Sequence, residues 1–156
     1  MDLTVIAIGT RMPTWVQDGW SEYARRFSGG LGLKLREIPM ARRGRNANVA
    51  ALQHAEGEAL AAAAPAGHRV VAMDERGRQW STIELAKRLE DWMRDERGVC
   101  FLVGGPDGLT RPCRERAHDV WSLGPLVLPH PLVRVILAEQ LYRAWTITQN
   151  HPYHRQ

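Results

Sequence analysis

The side chains with the widest chemical range crowd one end of the chain. The stretch "LPHPLVRVILAEQLYRAWTITQNHPYHR", Leu128 to Arg155, sets three histidines, two tyrosines and three arginines around an apolar helical pattern. Chain ends fray unless something ties them down, so polar side chains gathered there must be ordered by some contact. Histidine changes charge near neutrality and can take or give a proton. Arginine presents a planar fork that suits a phosphate or a delocalised oxyanion. Arg134 and Arg143 lie within the helical pattern, although each taken singly reads first as a surface residue. His130 precedes Pro131, which places it in extended chain ahead of that helix. His151 and His154 flank Pro152, a poor spacing for two ligands on one helix face. Cys100 and Cys113 stand too far apart for a zinc pair, and Cys100 reads as a small buried core residue. No metal is expected.

Three loops could receive a ligand. They are Met73 with Asp74, "GGPDG" at 104–108, and "LGPLVLPH" at 123–130. In an open parallel sheet, ligands bind beyond the carboxyl ends of the strands, and each of these loops follows a strand-like run. Gly104 and Gly105 lack side chains, so a ligand or another backbone can come close. The spacing is neither G-x-G-x-x-G nor a P-loop, which excludes the usual dinucleotide and nucleoside-triphosphate fingerprints. In "LGPLVLP", Leu123, Leu126, Val127 and Leu128 offer apolar surface where a loop should be polar. An adenine ring would be covered by such a loop; plain core packing is an equal reading. Arg42, Arg43 and Arg45 surround Gly44 in a further loop and suit a nucleic-acid backbone, or simply a solvated charge run.

The elements that must position these loops alternate regularly. Leu3–Ile8, a short β-branched apolar run, reads as a strand, as do Leu33–Ile38, His68–Met73 and Val99–Val103, with a brief fifth near Trp121–Leu123. Thr14 with Gln17, and Ser81 with Glu84, have capping-box spacing. Helical periodicity follows both, and again over Val49–Ala63, Arg111–His118 and Leu132–Thr148. Such alternation predicts an α/β fold, a mostly parallel sheet with helices on both faces. With 156 residues and no long linker, one domain spanning 1–156 is expected. Hydrophobic content of 44% and charged content of 24% are globular values that exclude disorder. No window is long and apolar enough for a membrane helix. The first residues carry an acid rather than the basic cluster of a signal peptide, so a cytoplasmic protein is expected. Net charge is +4, unevenly spread: Ser21 to Arg45 holds seven basic residues against two acidic. Clustered positive charge suits a polyanionic partner.

Taken together, "IGTRMPTW", "FLVGGPDG" and "PHPLVRVILAEQLYRAWTITQNHPYHR" resemble, over essentially the whole chain, a SPOUT-class family. It is the family of large-subunit ribosomal RNA pseudouridine N3-methyltransferases. The resemblance implies a C-terminal trefoil knot, which general rules of chain topology would not suggest. It implies a homodimer paired through the last helix, and S-adenosyl-L-methionine as methyl donor. Cofactor contacts would fall on Met73, Gly104, Leu123, Gly124, Pro125, Leu126, Val127 and Leu128. The implied substrate is a pseudouridine in 23S rRNA within the assembled 70S ribosome. His130, Tyr153, His154 and Arg155, with Arg134 assisting, would form the catalytic part, the tail of one subunit lying across the pocket of the other. Arg25, Arg26, Arg42, Arg43 and Arg45 would contact RNA. The family usually has serine and threonine where this chain has Gly124, Pro125 and Val127. That departure keeps open a non-catalytic ribosome-binding factor of the same fold. A hydrolase using His130 and Asp107 is a more distant alternative.

Overall fold

The computed structural model describes residues 1–154. Five strands, β1 (Asp2–Ile8), β2 (Gly32–Ile38), β3 (Arg69–Gln79), β4 (Val99–Val103) and β5 (Asp119–Ser122), form one sheet in the order β2-β1-β4-β3-β5. All four strand pairings are parallel. Successive residues of a strand face opposite sides, and both sides are covered. On one face Leu3, Val5, Val71, Phe101 and Val103 pack against α1 (Thr14–Ala24), α3 (Thr82–Arg94) and α5 (His130–Thr148). On the other, Ile6, Ile8, Ala72, Cys100 and Leu102 meet α2 (Val49–Ala63) and α4 (Arg111–Arg116). The unbroken apolar run of β4, every residue buried, is what a central strand covered on both faces requires. A short 3-10 turn, Pro152–His154, follows α5. No helix is long and apolar enough to cross a membrane.

Four expectations change. The Thr14–Gln17 capping box does not form: α1 is entered through Pro13 with no side-chain cap, and the Gln17 amide donates to the Met12 carbonyl instead. The Ser81–Glu84 box does form, each side chain bonding the other's backbone N–H. β3 runs on past Met73 to Gln79, its pairing with β5 interrupted by an irregularity between Met73 and Arg78. Gly77 permits this, since a Cβ there would stand 2.6 Å from the Val120 backbone. β5 begins and ends earlier than its apolar residues suggested, at Asp119 and Ser122. Finally, α5 starts at His130 rather than Leu132, because Pro131 falls in the first turn, where a missing N–H is no loss.

Candidate active site

A cavity of about 790 Å³ lies at the carboxyl ends of β3, β4 and β5, at the size a small organic ligand needs. All three loops singled out in the sequence line it. Met73 and Asp74 come from β3, the 104–109 loop follows β4, and the 122–131 segment joins β5 to α5. Of the residues expected to contact a cofactor, Met73, Gly104, Leu123, Gly124, Leu126, Val127 and Leu128 are all in the wall; Pro125 is not. Leu126 is 76% exposed and Val127 81% exposed, an apolar lip with no cover within one chain. Two buried polar atoms of the wall residues, Trp121 Nε1 and His130 Nδ1, have no partner among the described residues. A buried N–H or ring nitrogen left unpaired is unfavourable. Apolar walls, backbone edges and a few unpaired polar groups fit an adenosyl ligand.

The loops have distinct local causes. Gly104 is dictated by the protein's own backbone: a Cβ there would stand 2.6 Å from Gly108, which bridges to Gly105 across the turn. Gly124 adopts φ +136°, a region side chains rarely enter. The Ser122 hydroxyl accepts from the Gly124 N–H at 3.2 Å and donates to its carbonyl at 3.0 Å. A hydroxyl two residues upstream thus shapes a loop whose own positions, 123–128, carry no hydroxyl.

His130 stands in the first turn of α5, at the cavity wall, and not in extended chain. Burial, reinforced by the nearby Arg134 guanidinium, holds its pKa below the ordinary histidine value. It is therefore neutral at neutral pH and able to accept a proton. Arg134 is fully buried and lies outside the cavity wall. Its Nη2 donates to the carbonyls of Ile8 at 3.0 Å and Gly9 at 2.8 Å, and its Nη1 to Glu37 at 2.7 Å. Three such partners make it a strut between α5 and the ends of β1 and β2, one turn beneath His130. It does not reach a reacting group; its place is that of a positioning residue.

Tyr153 and His154 lie elsewhere. The Tyr153 hydroxyl donates to Glu139 at 3.0 Å, and its ring stands edge-on to Tyr142 at 4.7 Å. Burial and that carboxylate push the phenol up to about 12, which makes it a hydrogen-bond donor and not a base. His154 Nδ1 is buried without a partner among the described residues. Arg155 lies outside the described residues.

The RNA-binding candidates divide in two. Arg25 and Arg26 both pair with Glu22 at the end of α1. Arg26 also lies within 5.9 Å of the Tyr153 ring centre, so this cluster borders the tail. Arg42 and Arg45 are exposed on the loop after β2. Arg43 on that loop is paired with Asp107 at 2.6 Å and Glu56 at 3.1 Å. The same bond removes Asp107 as a partner for His130 in hydrolysis. Among the described residues no group of three or more histidine, cysteine, aspartate or glutamate side chains could hold a metal ion.

Sequence reasoning missed Trp121, Ser122 and Glu56. Glu56 was visible in principle: it interrupts the buried stripe that Leu60 and Ala63 continue on α2, and is only 7% exposed. The roles of Trp121 and Ser122 depend on a loop geometry that no local pattern encodes.

Comparison with known proteins bears on this geometry. Residues 1–154 match a family described as "Predicted SPOUT methyltransferase". Over 156 residues, the whole of both chains, the sequence is 53% identical to ribosomal RNA large subunit methyltransferase H of Thioalkalivibrio sulfidiphilus (strain HL-EbGR7).

Proposed function

The chain belongs to the SPOUT methyltransferase family, and from that premise we propose that it methylates large-subunit ribosomal RNA. In the finer reading, it transfers a methyl group from S-adenosyl-L-methionine to N3 of a pseudouridine in 23S rRNA on the 70S ribosome, in the cytoplasm, as a homodimer with a C-terminal trefoil knot. The observation that carries this reading is the cavity beyond β3, β4 and β5, walled by the expected cofactor loops with His130 at its edge. Full-length identity to a ribosomal RNA large subunit methyltransferase supports the substrate class.

The bound donor would supply a sulfonium methyl open to in-line attack. Met73, Gly104 and the 123–128 loop would enclose its adenosyl part, and the exposed Leu126 and Val127 would be covered when the site fills. N3 of pseudouridine carries an imide proton, which must leave before the nitrogen can attack. His130, neutral and at the cavity wall, is placed to receive it, a contribution of about 10² to 10⁴ in rate. As the proton leaves, charge spreads onto the flanking carbonyl oxygens, where the cationic and donor groups of the tail are suited to stabilise it.

Tyr153 does not reach its own pocket. Tyr153 reaches back along α5 only to Glu139, nine residues from His130 and roughly 13 Å along the axis. Reacting groups must come within about 3.5 Å. Two-fold pairing through α5 would carry the tail of one subunit, with Arg25 and Arg26 beside it, to the pocket and the Arg42–Arg45 loop of the other. The two basic clusters, remote within one chain, would then flank a single RNA site.

A methyl-transfer assay on ribosomes carrying either uridine or pseudouridine at the target tests the reading. Label should enter only the pseudouridine form, at N3. Equal labelling of both forms would remove the finer claim, and no labelling of either would remove the coarser one.

A further inference from the structure

The loop between β4 and α4 is gripped from one side by α2 and by the basic loop that precedes it. Gln53 Nε2 donates to the carbonyl of Asp107 at 2.9 Å and lies 3.3 Å from that of Leu109. One turn on, Glu56 lies beneath the loop, with Oε2 where a Cβ on Gly105 would meet it at 3.2 Å. At the next residue, Gly57 fits against Thr110, since a Cβ there would stand 2.9 Å from its hydroxyl. Residues three and four apart share a helix face, so Gln53, Glu56 and Gly57 form one gripping surface.

Arg43 closes the grip. Its guanidinium spans Glu56 at 3.1 Å and Asp107 at 2.6 Å, joining the helix to the loop's tip. Glu56 is almost fully buried, and burial pushes its carboxyl up while Arg43 pulls the other way. A buried carboxylate facing a loop is unfavourable unless a cation meets it, so this one fixes where Arg43 must sit. Asp107 in turn belongs to the cavity wall.

We propose that Arg43 is a positioning residue for methyl-donor binding: by bridging Glu56 and Asp107 it holds the 104–109 loop in the shape that walls the cavity. This rests on the donor-site reading above. The cation nearest the tip of the donor loop is thereby assigned to the donor and not to RNA, although Arg42 and Arg45 beside it face solvent. Without the bridge the loop samples other shapes, and apparent affinity falls by the fraction of time it spends in the competent one.

The test compares wild type, Arg43→Gln, Arg43→Lys and Asp107→Asn by hydrogen exchange without ligand and by calorimetric titration with S-adenosyl-L-methionine. Arg43→Gln and Asp107→Asn should speed exchange at residues 105–109 with β1 and β4 unchanged, and weaken donor binding about tenfold. Arg43→Lys, which keeps the charge but cannot span two carboxylates as a fork does, should fall between. Faster exchange in β1 and β4 as well would show general unfolding and overturn the local role, as would wild-type exchange and affinity in both Arg43→Gln and Asp107→Asn. If wild type itself binds no donor, the site reading fails, while the exchange data still decide whether Arg43 holds the loop.

Discussion

Two crippled chains should rescue each other. One variant carries His130→Ala with its tail intact; the other keeps His130 and lacks residues 153–156. Each alone should be nearly inactive, since every pocket lacks either its proton acceptor or its tail. In a mixed dimer isolated through two different tags, the pocket of the truncated chain meets the tail of the His130→Ala chain, and one of two sites is complete. The expected rate is about half that of wild-type dimer. The figure follows from one complete site in two; the need for a partner's tail follows from α5, which with 19 residues is roughly 28 Å long. The Tyr153 hydroxyl stays bonded to Glu139, leaving a gap of roughly 13 Å to its own His130. Methyl transfer to ribosomes by the tandem-purified dimer is the assay, with melting curves to confirm folding. An inactive mixed dimer would refute donation of the tail between subunits. So would full activity in the truncated chain alone, because nothing else described here can take the tail's place.

Arg134→Met removes a buried guanidinium from Glu37 and from the Ile8 and Gly9 carbonyls; it should lower stability by about 3–5 kcal/mol, read as a shifted urea midpoint. Lost activity at an unchanged midpoint would instead place Arg134 at the reacting centre. Because the His130 pKa is lowered in the folded chain, the unfolded chain binds more protons between the two values. Its contribution to stability is therefore full above the unfolded value and declines as pH falls through the folded one. The acid limb of the rate profile should show a midpoint below the ordinary histidine value and disappear in His130→Gln; a limb that survives the substitution would assign the proton to another group. Charge reversal at Arg42 and Arg45 together should reduce the salt slope of ribosome association by roughly one and a half to two, measured by co-sedimentation, and an unaltered slope would exclude this loop from the RNA contact.

The sheet was legible because β1, β3 and β4 contain short apolar runs, and their length, as in Val99–Val103, suits a strand rather than a helix. Positions of the loops followed directly, since carboxyl ends of parallel strands are fixed once the strands are known. What stayed hidden was direction. Arg134 carries the residue type of an oxyanion clamp, yet its helix turns it inward to the ends of β1 and β2. Arg43 sits in a loop that reads as a polyanion contact, but a buried Glu56 thirteen residues later claims it. Pairings over such separations leave no periodic trace. The start of α5 was placed late because "HP" looks extended, whereas Pro131 is accommodated in a first helical turn.

The altered donor loop illustrates how the same task is met by other atoms. Serine or threonine within the loop could bond the donor or could bond the loop itself, and substitution by Gly124, Pro125 and Val127 separates the two roles. Here the self-bonding role has moved to Ser122, which is 2% exposed and closes on both backbone groups of Gly124. Gly124 supplies the backbone shape and Pro125 limits the alternatives open to the unfolded chain. On the proposed reading, main-chain N–H and C=O would recognise the donor, with apolar cover from Leu126 and Val127. That arrangement suits an adenine, whose faces are apolar and whose edge pairs with backbone, and it needs no hydroxyl. On the proposed reading, the exposure of those two side chains in a single protomer has a physical meaning: a bound donor, and the tail of a second chain above it, would close over the lip.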